Sequence, residues 1–315
     1  MSSGGNSARA WARKGTSVVL SLVGLWLCVR FFGALDWQAV GRDIRHVGIG
    51  AGLLLLAPLV GNFVHMLGWR ALLPSALRPR IGRSLAIFLA AQAGNEVGLG
   101  VLGESIKVSE FPSAERAAAL RAMLLDNLSA LAALVAVVLS IGAFLGGVAA
   151  EHALPRPIAL GALAMLGLAL LGTLGFLNRR SSDPPRGVLV AFAAHYLGKL
   201  WIVAEFALVL ALLGTVTLRS SALLGLVSTL ASAAGAAIPG QLGVLEAALK
   251  GSAASCGLGA CTLVSVALLR RARSMLWVAL GALLFWQLRS HKARAEREGL
   301  SARSAVDGLG PVLTK

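Results

Sequence analysis

Long apolar runs alternate with short polar segments along this chain of 315 residues. An α-helix needs about 20 predominantly apolar residues to cross the hydrocarbon core of a bilayer, and several runs reach that length. The pattern predicts an all-α polytopic membrane domain over residues 16–286. We expect about six transmembrane helices, at residues 16–35, 47–69, 123–150, 158–177, 188–213 and 261–286, with a short loop at residues 36–46.

The stretch GNEVGLGVLGESIK, from Gly94 to Lys107, interrupts this apolar pattern. It carries Asn95, Glu96 and Glu104 as well as the terminal lysine, among several glycines. A charged residue at membrane depth costs about 2.5–3.5 kcal/mol on insertion scales. Backbone broken by glycine is tolerated in a bilayer only where protein or water covers it. A second stretch of this kind, IPGQLGVLEAALK, occupies residues 238–250. We predict that the two stretches form one polar site inside the membrane.

Basic residues in the short connecting segments indicate how the helices are oriented. Arginines cluster in residues 70–83, in residues 178–187 and in the C-terminal tail. The positive-inside rule places such segments in the cytoplasm. All three basic segments can lie on the cytoplasmic side only if residues 84–103 and 222–259 each enter and leave the membrane by the same face. We therefore predict two re-entrant hairpins that dip from opposite faces, with both termini cytoplasmic.

A weak internal repeat relates the two hairpins. Arg83-Ser84 precedes the first and Arg219-Ser220 precedes the second, and LGVLGESIK resembles LGVLEAALK with one residue deleted. Inverted repeats with interrupted helices in matching positions are the best sequence pointer to a transporter binding site. The pattern favours inverted halves at about residues 16–177 and 158–286. The alternative is chance similarity in a chain rich in Gly, Leu and Ala.

Composition narrows the class of protein. With 57% hydrophobic and 14% charged residues and a mean hydropathy of +0.78, the chain is not an ordinary soluble domain. The net charge of +15 resides in loops and tails rather than on one face, which argues against a nucleic-acid partner. We expect a disordered basic N-terminus at residues 1–15 and a basic polar tail at residues 287–315.

Three groups of residues in and after the interrupted stretches form recognisable motifs. The first is Asn95, Gly103-Glu104 and Lys107; the second is Pro239, Gly243 and Glu246; the third is Arg270 and Arg273. Together they resemble the flippase-like integral membrane family typified by the transmembrane domain of lysyl-phosphatidylglycerol synthase. The resemblance covers roughly residues 15–290. It implies a helical lipid-handling membrane domain whose polar site contains these residues.

The chain departs from that family in two respects. Family members usually have a proline near the first Gly-Glu, whereas this chain has Gly98-Leu99-Gly100. Bifunctional members carry a large soluble aminoacyl-transferase domain after the membrane part, whereas only residues 287–315 follow here. The resemblance therefore implies lipid translocation or an accessory role in lipid handling, and not synthesis of the aminoacylated lipid.

A lipid that crosses between leaflets must keep its headgroup away from hydrocarbon. The protein then needs cations for phosphate, acceptors for amines or hydroxyls, and half-helix N-termini whose free N–H groups favour anions. Residues 95–103 and 238–243 are candidates for those helix ends. The candidate cations are Lys107, Arg121, Lys250, Arg270 and Arg273, and the candidate acids are Glu104, Asp126 and Glu246.

Structural alternatives exist for the hairpin charges. Glu104 and Lys107 have the i,i+3 spacing of a pair that closes a helix end at the interface, and Glu246 and Lys250 have the i,i+4 spacing. In the functional interpretation the same glutamates hold the cations in place, or accept a substrate ammonium or a coupling proton.

Polar residues inside the predicted spans leave further alternatives open. Asp126 is expected to be a buried partner of Arg121 or Arg273, either in a structural ion pair or in contact with substrate. His195 and Lys199 share one helical face, as do Asn62 and His65, and Glu205 lies on another face of the fifth span. These residues either extend a polar pathway or form single bonds between helices.

The leading hypothesis is a flippase-like protein of a bacterial-type inner membrane, and not an enzyme. It would translocate or present a lipid with an anionic or polyprenyl-type headgroup. The alternatives are an integral membrane enzyme with Glu104 or Glu246 as general base, and an accessory subunit. No cofactor or metal is predicted, because Gly198-Lys199 lacks the other residues of a P-loop and the three cysteines match no metal or redox spacing.

Overall fold

The computed structural model describes residues 37–97, 101–148, 186–235 and 243–307, and these residues form helices joined by short turns, without any strand. The turns include 3-10 helices at Ser75–Leu77 and Ser113–Glu115. The helices are α1 Trp37–Val47, α2 Gly50–Leu72, α3 Ile81–Val97, α4 Val101–Ser109, α5 Arg116–Val148, α6 Arg186–Leu212, α7 Leu218–Ala234, α8 Val244–Gly251, α9 Ala253–Cys256 and α10 Ala260–Asp307.

Three helical segments within the described ranges are long and apolar enough to cross a membrane: Gly52–Leu72, Ser113–Leu145 and Arg186–Leu212. They correspond to the spans predicted at residues 47–69, 123–150 and 188–213. The spans predicted at residues 16–35 and 158–177, and the N-terminus at residues 1–15, lie outside the described residues. The run at residues 261–286 lies within α10, a helix of 48 residues that continues into the basic tail.

The distribution of polarity is the reverse of that in a soluble protein. Large apolar side chains are exposed along the long helices, with Leu56 62% and Leu189 68% exposed, whereas Lys107 and Asp126 are only 5% and 2% exposed. Water would favour the opposite arrangement, because burying a charge is costly unless it is paired. This arrangement is typical of helices whose outer surface faces hydrocarbon.

The segment predicted to be a loop after the first span is instead helix α1, so that prediction is wrong. Its apolar residues Val40, Ile44 and Val47 recur at spacings of four and three, which places them on one helical face. Val40 and Val47 are buried, and Val40 packs against Val264 of α10. Charged residues lie between these three apolar positions, and they make the helical periodicity hard to recognise in the sequence.

Small residues allow α2 and α6 to approach closely along their length. A Cβ added to Gly68 would lie 3.0 Å from the Cβ of Ala194, and one added to Gly198 would lie 2.5 Å from Nε2 of His65. Interfaces of this kind are common between membrane helices, because small residues let backbones meet. The consequence here is that polar side chains from the two helices come into direct contact.

The two interrupted stretches form helix pairs of matching lengths. In the first pair α3 has 17 residues and α4 has 9, and in the second α7 has 17 and α8 has 8. Each pair packs together, and each longer arm also packs on the long helix that follows the other pair: α3 on α10, and α7 on α5. The packing of the two helix pairs is therefore reciprocal.

Candidate functional site

A polar cavity of about 370 Å³ lies between α2, α3, α4, α5, α6 and α10. Its size falls within the range of small-ligand pockets, about 300–1,000 Å³. Side chains from all of these helices contribute polar groups to one space. The polar lining residues include Asn62, His65, Gln92, Glu96, Glu104, Lys107, Asp126, Asn127, His195, Glu205, Arg270 and Arg273.

The ammonium of Lys107 lies at the base of this cavity between two carboxylates. Its Nζ is 3.2 Å from Oε1 of Glu104 and 3.2 Å from Oδ2 of Asp126. Nζ also lies 5.0 Å from the ring centroid of Phe88, within the range of a cation–π contact. The pair with Glu104 is therefore part of a buried network that includes α5, and not a surface pair at a helix end.

The tight packing of α3 on α4 places Glu104 in this network. A Cβ added to Gly103 would overlap the carbonyl oxygen of Ala91 and the side chain of Asn95, so this position admits only glycine without rearrangement. Because the helices approach so closely, Nδ2 of Asn95 donates to Oε1 of Glu104 at 3.2 Å. Asn95, Gly103, Glu104 and Lys107, predicted together from the sequence, do lie together.

Asp126 joins this network to two histidines. Its Oδ1 accepts from Nε2 of His195 at 2.7 Å, and Nδ1 of His195 lies 2.8 Å from Nδ1 of His65. The rings of the two histidines have centroids 4.8 Å apart. The expected partners Arg121 and Arg273 do not take this position, since both oxygens of Asp126 bond Lys107 and His195.

The α10 side of the cavity is cationic. Nη1 of Arg273 donates to Oε2 of Glu205 at 2.8 Å, which forms a buried ion pair between α10 and α6. The guanidinium of Arg270 instead stacks over the ring of Phe206, with its Cζ 4.5 Å from the ring centroid. Within the described part of the chain Arg270 forms no ion pair or hydrogen bond with a carboxylate, and Glu96 and Glu205 are the acidic side chains that act on its charge.

Several buried polar atoms at or beside the cavity have no hydrogen-bond partner in the part of the chain that the structure describes. Nη1 of Arg270 and Oε2 of Glu104 belong to residues that line the cavity, and Oδ1 of Asn95 lies beside it against Gly103. A buried polar group without a partner costs about 1–3 kcal/mol, so such atoms call for a ligand. One of them is a cationic donor and the other two are acceptors. The cavity therefore offers complementary groups to a ligand that carries both an anion and hydrogen-bond donors.

The second predicted stretch lies beside the cavity and contributes little to its lining. Gly243 has φ +79°, a left-handed conformation that favours glycine, and its N–H donates to Oε2 of Glu246 at 3.0 Å. Oε1 of Glu246 accepts from Nη2 of Arg271 at 2.7 Å. The side chain of Lys250 is exposed. Pro239 lies outside the described residues.

Arg121 lines a separate pocket, so the structure does not bring it to the same polar site as Lys107. That pocket, of about 450 Å³, is lined by Arg78, Arg121 and Arg186 together with apolar residues of α2, α5 and α6. Arg271, which binds Glu246 directly, is not among the site residues predicted from the sequence. The sequence signal for Arg271 is its position in the basic run from Arg270 to Arg273, of which the motif includes only Arg270 and Arg273.

Among the residues that the structure describes, no cluster of His, Cys, Asp and Glu has the arrangement of a metal site. Comparison of the chain with protein-family models, with curated proteins and with solved structures finds no match. The clues to function are therefore the residues of the cavity and the motif resemblance.

Proposed function

We propose that this protein is a flippase-like membrane protein that translocates a lipid with a polar, phosphate-bearing headgroup between leaflets. The main support is the cavity of about 370 Å³, lined by paired and unpaired charges and enclosed by helices with apolar outer surfaces. Such a cavity lets a headgroup leave water while the acyl chains stay in hydrocarbon. Ionisable residues inside membrane helices mark substrate or ion pathways in most cases.

The charges of the cavity suit a phosphate at one wall and donors at the other. Arg270 presents an unpartnered N–H group and a planar guanidinium, which is the side chain best matched to phosphate oxygens. Glu104, which lines the cavity, has an unpartnered acceptor oxygen, which suits the hydroxyl or ammonium group of a headgroup. Charges of both signs within one small cavity favour a lipid headgroup over a simple anion.

The same proposal places the protein in a bacterial-type inner membrane with cytoplasmic termini. The basic segments at residues 70–83 and 178–187 and the basic tail support this orientation through the positive-inside rule. The exposed apolar side chains of α2, α5 and α6 supply the surface that faces lipid. The motif resemblance to the lysyl-phosphatidylglycerol synthase membrane domain supports the same class of substrate.

The hairpins and the inverted repeat belong to this proposal as well. The matched lengths of the two helix pairs and their reciprocal packing on α10 and α5 support two related halves. In transporters built from inverted repeats, the substrate site lies near the midplane where interrupted helices meet. Here the interrupted α3–α4 pair carries Glu104 and Lys107 to the cavity, as such a site requires.

The experiment that tests the proposal is leaflet exchange of fluorescent lipids in sealed proteoliposomes, with anionic, zwitterionic and polyprenyl-phosphate lipids in separate arms. We expect exchange by the parent protein in at least one arm. Arg270→Met is expected to slow exchange by about tenfold or more, because hydrogen bonds to charged groups contribute about 1.5–3 kcal/mol. Arg289→Met is the matched control, since Arg289 is an exposed arginine of the same helix.

The outcomes separate the hypotheses. Exchange that Arg270→Met and Glu104→Gln both slow strongly, with the fold intact, supports a translocation site in the cavity. Absence of exchange by the parent protein in all three arms overturns the proposal. Turnover of a lipid headgroup by the protein in detergent, lost on removal of Glu104, would point to an enzyme instead.

A further inference from the structure

Five titratable side chains form one continuous hydrogen-bonded row along the cavity wall. In order they are His65, His195, Asp126, Lys107 and Glu104, and they come from α2, α6, α5 and α4. The successive distances are 2.8, 2.7, 3.2 and 3.2 Å. Because the residues come from four helices and, apart from the i,i+3 pair Glu104 and Lys107, are far apart in sequence, only the packing of the helices creates the whole row.

The two histidines can hold only one proton between their facing nitrogens. An ionised carboxylate only accepts, so Nε2 of His195 carries the proton that it shares with Asp126. The Nδ1 atoms of His65 and His195 are 2.8 Å apart, a distance at which one must donate and the other accept. The pair therefore has two hydrogen-bonded arrangements: Nδ1 of a neutral His65 donates to His195, or, after one further proton has entered, Nδ1 of a cationic His195 donates to a His65 that carries its own proton on Nε2.

Charged side chains of three other helices act on His65. Lys199 on α6 and Lys107 on α4 both act on His65 as like charges, and Asp126 on α5 is the opposite charge that acts on it. A proton that reaches His65 is therefore drawn towards Asp126. The other charged side chains of the cavity are Glu96 on α3, Glu104 on α4, Glu205 on α6, and Arg270 and Arg273 on α10.

We propose that His65, His195 and Asp126 relay a proton from solvent to the Lys107 ion pair, and that headgroup movement is coupled to this proton. In the step, His65 takes a proton at Nε2 and passes its Nδ1 proton to Nδ1 of His195. The Nε2 proton of His195 then moves to Oδ1 of Asp126. Bonds to hydrogen form at Nε2 of His65, Nδ1 of His195 and Oδ1 of Asp126. Three such bonds break, in the solvent donor, at Nδ1 of His65 and at Nε2 of His195. One positive charge enters the cavity.

Protonation of Asp126 changes what Lys107 can bind. A neutral aspartic acid no longer balances the ammonium, which then retains Glu104 as its carboxylate partner at 3.2 Å. Lys107 becomes available to a lipid phosphate in the protonated state and is held by Asp126 in the deprotonated state. The cavity thus has two charge states with different affinities for an anionic headgroup, which is the condition for coupling. This inference rests on the proposed translocation function.

The test is lipid exchange in sealed proteoliposomes with and without a pH gradient of one unit, with the membrane potential clamped to zero. A trapped pH indicator reports proton movement in the same vesicles. The readout is the ratio of exchange rates with and without the gradient. We expect a ratio above one in the parent protein, up to about tenfold, since one pH unit changes a one-proton equilibrium by that factor.

Two variants act on the relay from different helix positions. His195→Gln removes the central imidazole, and Gly198→Ala keeps every titratable group but pushes the ring of His65 away through the added Cβ. Both are expected to reduce the ratio to about one, whatever their basal rate. His46→Gln is the matched control, because His46 is an exposed histidine at the end of α1, and it should keep the parent ratio.

The results distinguish this inference from the proposed function. Exchange by the parent protein with a ratio of one, or a ratio unchanged by His195→Gln and Gly198→Ala in folded protein, overturns the proton relay and leaves translocation standing. No exchange by the parent protein either with or without a gradient overturns both. A ratio above one that only the two relay variants abolish, together with proton movement that accompanies lipid exchange, supports the coupling.

Discussion

The ion pair between Lys107 and Asp126 gives the sharpest prediction about stability. Their side chains are 6% and 3% exposed and their charged atoms are 3.2 Å apart. Removal of one partner from a buried pair leaves an uncompensated charge and costs about 3–5 kcal/mol. In Asp126→Asn, Glu104 still contacts the ammonium, so we expect a loss near the lower limit, about 3 kcal/mol. That is a change of roughly a hundredfold in the folding equilibrium.

Asparagine is the informative replacement because it keeps the shape of the side chain. Its amide oxygen can still accept from Nε2 of His195, and its NH2 group then faces Nζ of Lys107, so the change removes both the charge and the acceptor opposite Lys107. The free energy of unfolding would be measured in mixed detergent micelles through tryptophan fluorescence. Asp43→Asn is the control, because the new amide oxygen can still accept from the hydroxyl of Ser265 and the expected change is within about 0.5 kcal/mol.

A double-mutant cycle tests whether the two charges interact directly. Lys107→Met combined with Asp126→Asn removes both charges, so the double variant should lose less stability than the two single variants together. We expect an interaction energy of about 2 kcal/mol, within the range for residues in contact. Strict additivity of the two changes, or a loss below about 1 kcal/mol for Asp126→Asn, would falsify the buried pair as the main support of this cavity wall.

Three further predictions concern packing and pairing around the cavity, each measured as the free energy of unfolding in the same micelles. Gly103→Ala should destabilise the protein by about 1–3 kcal/mol, because the new methyl group overlaps α3. Gly142→Ala is the control: nothing lies within 4 Å of the added Cβ, so it should stabilise the protein by up to about 1 kcal/mol. Equal effects of the two changes would contradict the close approach of α4 to α3. Arg271→Met should cost about 3 kcal/mol, since it leaves the buried Glu246 without this cation, and a neutral outcome would mean that the pair does not hold α10 to α8. Trp201→Phe should cost about 1 kcal/mol, because the indole N–H donates to a carbonyl of α2 at 2.8 Å, and no change would show that water replaces that bond.

The part of the site that was predictable from the sequence is the α3–α4 hairpin. Asn95, Gly103, Glu104 and Lys107 lie close together in the chain, and their grouping follows from the local interruption of an apolar run. This short separation meant that any helical hairpin would bring them together. By contrast Glu246, expected to act with Lys250 from its i,i+4 spacing, bonds Arg271 of another helix, a partner that only tertiary packing supplies.

Local properties of the chain were enough to predict the all-helical class, the apolar outer surface and the positions of the polar interruptions. These features follow from the length of apolar runs and from the cost of a charge in hydrocarbon. Which charges meet depends instead on how the helices pack. His65 and His195 are 130 residues apart, and their contact requires glycine positions that let α2 and α6 approach. Hydrophobic periodicity indicates that a residue is buried, but its partners on other helices depend on the rotation and depth of each helix, which the periodicity leaves open.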